Sequence, residues 1–152
     1  MNITNKEGLE KIRRIIDSNP RIEMMSIRLD KAPLSGCPME LQQMDKEGNL
    51  WFFTSKKNEN FEDIYYHNKI QIIYSDDINN NYMSILGNAK YVTDKGKINE
   101  LWNSPLFHSW FEDKDDPNLI LLNVNMEHAY YWSNKKKKLV SFFKIKESTL
   151  TY

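Results

Sequence analysis

Cysteine is almost missing from this chain, with Cys37 the only one in 152 residues. A lone thiol excludes an intrachain disulfide framework and a cysteine-built zinc site. Glycine is scarce too. The five present stand singly, so there is no glycine-rich phosphate loop, no G-x-G-x-x-G turn and no G-x-S-x-G elbow. His67, His108 and His128 are widely spaced, with no carboxylate or cysteine at ligand spacing, and no metal site is expected. No apolar run approaches the ~20 residues of a membrane span. The opening MNITNKEGLEKIRR has no apolar h-region, and the expectation is a cytoplasmic protein with no membrane partner. Charge of one sign is also lacking, since 21 basic and 21 acidic side chains balance. Nucleic-acid binding needs a basic surface that displaces phosphate counterions, so no nucleic-acid partner is expected.

What remains is enough for a core. Hydrophobic residues make up 40% and aromatics 12%, and a chain of this length forms one domain, residues 1–152, that buries roughly two-thirds of its unfolded surface. Thr4 to Glu7 fits a capping box, and Leu9, Ile12, Ile15 and Ile16 share a helical face that Asn19-Pro20 ends. Ile22 to Leu29 alternates as a first strand. Gly36 to Met44 and Leu50 to Thr54 are two strands joined across Asp45 to Asn49, where Gly48 takes the positive φ of a tight turn. Asn58 is a candidate N-cap for a short helix with Phe61, Ile64 and Tyr65 as its apolar stripe. Strands follow at Ile70 to Tyr74 and at Tyr82 to Val92, with Gly87 marking a bulge or close approach. Asp94 caps a helix carrying Ile98, Leu101 and Trp102. Phe107, Trp110 and Phe111 form an aromatic knot before the solvated loop Glu112 to Asp116. Leu119 to Trp132 and Leu139 to Ile145 are the last strands, joined by a solvated tip containing Lys135 to Lys138. Six or seven strands joined mostly by turns, with three inserted helices, predict a mainly β fold: an antiparallel β-barrel with peripheral helices.

The hairpin also resembles a family signature. Pro38, Met39, Gln42, Gly48, Trp51, Phe52, Phe53 and Thr54 match the Arg-Pro-Met-x-x-Gln and Trp-Phe-Phe-Thr strands of the general stress protein 26 type, a branch of the pyridoxamine 5′-phosphate oxidase-like split-barrel flavoproteins. Further elements follow in the same order: Gly87-Asn88-Ala89, Asp94 with Leu101-Trp102, Trp110-Phe111, Asp115-Asp116-Pro117 with Leu119, and Tyr131-Trp132. The resemblance implies an FMN-binding split barrel of about six antiparallel strands, with FMN held at a homodimer interface. It places Cys37, Pro38, Met39, Gln42, Phe53, Thr54, Asn58, Asn60, Tyr82 and Trp110 around the flavin. It also implies redox chemistry on a small-molecule substrate. The oxidase's extra C-terminal segment has no counterpart after the last strand, so pyridoxamine-phosphate oxidation itself is not expected.

The departures fall on one side of that site. Cys37 stands where the family has Arg, and Asn58 and Asn60 stand at its Ser and Lys positions. Hydrogen bonds to charged groups contribute roughly 1.5–3 kcal/mol each, so two missing cations remove about 3–6 kcal/mol, or two to four decades of affinity. Lys56, Lys57 and the free N–H groups of the helix start are the available substitutes. The alternative is a non-enzymatic stress-related binding protein whose flavin site is weakened or lost. Other residues keep plain readings beside these. Phe53 and Thr54 are either flavin contacts or an ordinary buried strand end. Trp110 is either a cover from the partner subunit or core, Tyr82 and Ser84 are either beside the ligand or packing, and Cys37 is either reactive or a small buried hydrophobe.

Overall fold

Alternation of apolar and polar side chains builds most of this molecule. A computed structural model describes residues 5–18, 22–102, 114–133 and 136–141. Along the chain run α1 (Asn5–Ser18), β1 (Ile22–Ile27), β2 (Ser35–Met44), β3 (Asn49–Ser55), α2 (Phe61–Tyr66), β4 (Lys69–Asp76), β5 (Asn81–Val92), α3 (Lys95–Trp102), β6 (Leu119–Ser133) and β7 (Lys136–Ser141). All the strand pairings are antiparallel. The order β3-β2-β1-β4-β5-β6-β7 closes on itself through an additional β3–β6 pairing, which pairs the β3 edge that would otherwise be open and leaves β7 as the terminal strand.

The 15-residue β6 makes this closure possible. One of its edges pairs with β5 along most of its length. On the other edge, Leu119–Asn125 pairs with β3 and His128–Ser133 pairs with β7. The sheet therefore closes over one half of β6 and continues outward over the other, as in a split barrel. Two bulges bend the strands to fit. One lies between Leu86 and Gly87 in the β5–β6 ladder, and the other between Leu41 and Gln43 in the β2–β3 ladder. At Gly87 a Cβ would lie 2.7 Å from the Asn125 carbonyl oxygen and 2.8 Å from Val124 Cγ1, so no side chain fits there.

Inward-facing Met25, Leu41, Phe52, Ile72, Ile85 and Leu122 belong to the barrel core. Ile12, Ile15 and Ile16 of α1 join it. Tyr74 Oη donates to the Ile15 carbonyl at 2.7 Å, and the Arg13 guanidinium donates to the Met44 and Asp45 carbonyls, each at 2.8 Å. Those bonds seat α1 beside the β2–β3 turn. α3 packs on the outside, where Ile98 and Leu101 form a second cluster with Phe53, Leu119 and Leu121.

Some sequence expectations are corrected. β1 stops at Ile27 because Arg28 takes a φ of 54°. The N-cap of α2 is Asn60, not Asn58, and Tyr65 is 64% exposed rather than part of a buried stripe. Lys136, Lys137 and Lys138 lie in β7, in register with Ser133, Trp132 and Tyr131, rather than at a solvated tip. The expected Thr4 cap, the Asn19-Pro20 stop, the knot of Phe107, Trp110 and Phe111, and the end of the last strand lie outside the described residues.

Candidate flavin site

Cys37 lies in β2, in register with Met25. The two-residue period turns its side chain the same way as those of Met39 and Leu41, which are 2% and 1% exposed. Pro38 takes the opposite, exposed side. Cys37 sits half-buried at the edge of the core. There it meets the side chains of Asn60 and Asn58. Burial, the larger effect, pushes the thiol pKa up, the two carboxamides pull it down, and nearby Glu59 pushes it up again. The net effect is upward, so the thiol is protonated at neutral pH. Tyr91 completes the corner: its hydroxyl pKa is raised by burial and then by the nearness of Cys37. It donates to the Phe61 carbonyl at 3.0 Å, and its ring stacks on Phe61 with centroids 4.3 Å apart.

The segment carrying the asparagines is a series of local turns leaving the end of β3. Thr54, buried and in register with Ile120, precedes it. Lys57 N–H donates to Ser55 Oγ at 3.1 Å, and Asn58 N–H to the Ser55 carbonyl at 3.0 Å. Asn60 N–H donates to Asn58 Oδ1 at 2.8 Å, and Phe61 N–H to the Asn58 carbonyl at 2.9 Å. Polar residues in such turns commonly satisfy their own backbone this way. The N–H groups of residues 57, 58, 60 and 61 are committed in this way and are not the free donors the sequence suggests there. Cations remain close in sequence. Lys56 and Lys57 are exposed, and neither ammonium forms an ion pair among the described residues. Arg28, by contrast, is held by Asp30 at 3.2 Å and Asp63 at 3.6 Å.

Among the expected site residues, Cys37, Asn58 and Asn60 come together. Met39 is core. Gln42 sits at the β2 bulge, buried, with Nε2 donating to the Glu40 carbonyl at 3.4 Å. Phe53 faces outward against α3, edge-on to Trp102 with ring centroids 5.7 Å apart, away from the Cys37 corner. Tyr82 lies beside the β4–β5 turn, where its hydroxyl donates to Asp77 at 3.0 Å. Trp110 lies outside the described residues. Tyr91 escaped the sequence reading because, as one aromatic near a strand end, it carried no pattern of its own. A neutral thiol and two carboxamides can offer an anion such as a phosphate hydrogen bonds without charge, and Lys56 and Lys57 are the cations close in sequence.

Comparison with known proteins bears on the fold and the family. General stress protein 26 of Bacillus subtilis (strain 168) is 30% identical over 91 residues, 58% of this chain. The match spans 64% of that relative's length, a little under two thirds. The solved structure of a general stress FMN/FAD binding protein from Xanthomonas citri superposes with a TM-score of 0.71 at 31% identity, covering 86% of this chain and 92% of that one. A general stress protein 26-related protein from Clostridium acetobutylicum, of the pyridoxinephosphate oxidase family, shares the fold with a TM-score of 0.72 at 19% identity, covering 92% of this chain and 98% of that one. Residues 7–152 match the family pattern described as pyridoxamine 5′-phosphate oxidase like, and the chain belongs to that family.

Proposed function

We propose that this chain is a cytoplasmic, homodimeric flavoprotein that binds FMN with reduced affinity and acts as an oxidoreductase on a small molecule. The observation that carries the reading is the convergence of Cys37, Asn58 and Asn60 in one corner. These are the positions at which the family resemblance places the phosphate, and they meet although they come from β2 and from the segment before α2. The similarity to an FMN/FAD binding protein supports the same ligand. In this role Asn58 and Asn60 donate to phosphate oxygens, Lys56 and Lys57 supply charge from the rim, and the buried strands β2 and β3 hold the corner rigid. When bound, the flavin supplies hydride or electron transfer. Trp102 and Trp132, each only partly buried within the single chain, support pairing of two copies. No helix among the described residues is long and apolar enough to cross a membrane.

A second reading has its own support. The committed N–H groups of residues 57, 58, 60 and 61 and the uncharged thiol favour a stress-related binding protein that has kept the barrel and lost flavin. Absorbance of the purified protein near the flavin bands, followed by titration with added FMN, separates the two. The flavoprotein reading predicts saturable uptake in the micromolar range, two to four decades weaker than a nanomolar site. A colourless protein that takes up no added FMN supports the second.

A further inference from the structure

Across β3, β6 and β5 the outward-facing residues form three rows. Phe53, Leu121 and Val92 are in register, then Trp51, Asn123 and Lys90, then Asn49, Asn125 and Asn88. The first row is apolar, and α3 packs over Phe53 and Leu121. The other two rows form the floor of a cleft of about 530 Å³, which Asn68 also lines, within the range of small-molecule sites. Among the described residues carboxamides dominate its wall, no carboxylate lines it, and Lys90 is the one cation that does.

Two features mark this cleft as built for a ligand. Asn123 is 4% exposed, lines the cleft, and among the described residues its carboxamide has no hydrogen-bond partner. Its amide is not among the fully buried side-chain atoms left without a partner, so its polar atoms open onto the cleft, where a ligand's hydroxyl could both donate to it and accept from it. The neighbouring groups are also held in fixed orientations. Asp45 accepts from Trp51 Nε1 at 2.9 Å and from Asn49 Nδ2 at 3.2 Å. Asn49 Oδ1 in turn accepts from Asn125 Nδ2 at 3.1 Å. The Lys97 ammonium lies 4.8 Å from the Trp51 ring centroid.

We propose that this cleft binds a pyranose sugar. Each carboxamide both donates and accepts, as does each sugar hydroxyl. The Trp51 indole gives the apolar C–H face of the ring a wall to pack on, and Lys90 favours an anionic substituent. The site lies on a different face from the Cys37 corner and is independent of the flavin reading.

Amide chemical shifts of the full chain, titrated separately with glucose, N-acetylglucosamine, glucuronate and FMN, test this. The expected result is saturable movement of amides around 49–51, 88–90 and 123–125 at millimolar sugar, with glucuronate about tenfold tighter than glucose through Lys90. Asn123→Leu, which extends the apolar row, should stay folded with an unfolding temperature close to that of wild type and should lose sugar binding at least tenfold. Asn88→Ala should also weaken binding. No saturation with any sugar, unchanged binding in Asn123→Leu, or movement of these amides by FMN but not by sugars would overturn the proposal.

Discussion

At the scale of single residues, Asp45 holds the β2–β3 turn together. Its carboxylate accepts from the backbone N–H groups of Glu47 and Asn49, at 3.0 and 2.8 Å, as well as from the side chains of Asn49 and Trp51. Burial pushes its pKa up, but the hydrogen bonds from Trp51, Asn49 and Glu47 outweigh burial and the net shift is downward. A depressed carboxylate contributes stability above its unfolded pKa of about 3.9 and loses it as pH falls through the lower folded value. Asp45→Ala should therefore cost about 1–2 kcal/mol at pH 7, and the gap between wild type and variant should shrink as pH falls below about 4. Urea denaturation across that range measures both, and a constant gap would refute the assignment. Chemistry at this scale was only partly legible in the sequence. The replacement of Arg by Cys37 was visible, and so was its company of Asn58 and Asn60 once the family pattern was applied. The internal hydrogen bonds of residues 55–61 were not, because an asparagine in a turn reads equally well as a helix cap, a ligand donor or a self-satisfied loop.

At the scale of elements, β6 depends on a glycine in its neighbour. The Leu86/Gly87 bulge lets the outward half of β6 leave the barrel and pair with β7. The contacts waiting for a Cβ at Gly87 are the Asn125 backbone and a core valine, neither of which can swing aside. Gly87→Ala should destabilise the fold by about 1–3 kcal/mol through overpacking, read as a lower urea midpoint with an unchanged m-value. A variant as stable as wild type would show that the bulge relaxes freely. Strands and helices were largely readable because alternation and the 3.6-residue period act locally. The lysine run misled because charge suggests a solvated tip, whereas β6 offers Tyr131, Trp132 and Ser133 as antiparallel partners for Lys138, Lys137 and Lys136. Tyr65 misled because helical spacing alone does not say which side of a six-residue helix meets the core.

At the scale of the whole molecule, one long strand with two successive partners on the same edge turns a sheet into a split barrel. That closure was legible only as a fold class, since sequence order does not disclose which strands meet around the ring. Sedimentation equilibrium should return twice the chain mass of 18.1 kDa, and a monomer at every concentration would remove the dimeric part of the account. The central claim is that the flavin phosphate is held at the corner formed by Cys37, Asn58 and Asn60. FMN titration of wild type beside Cys37→Arg tests it most directly. Restoring one charged hydrogen bond there should tighten FMN binding by about one to two decades, whereas equal affinity in the two proteins would contradict that placement.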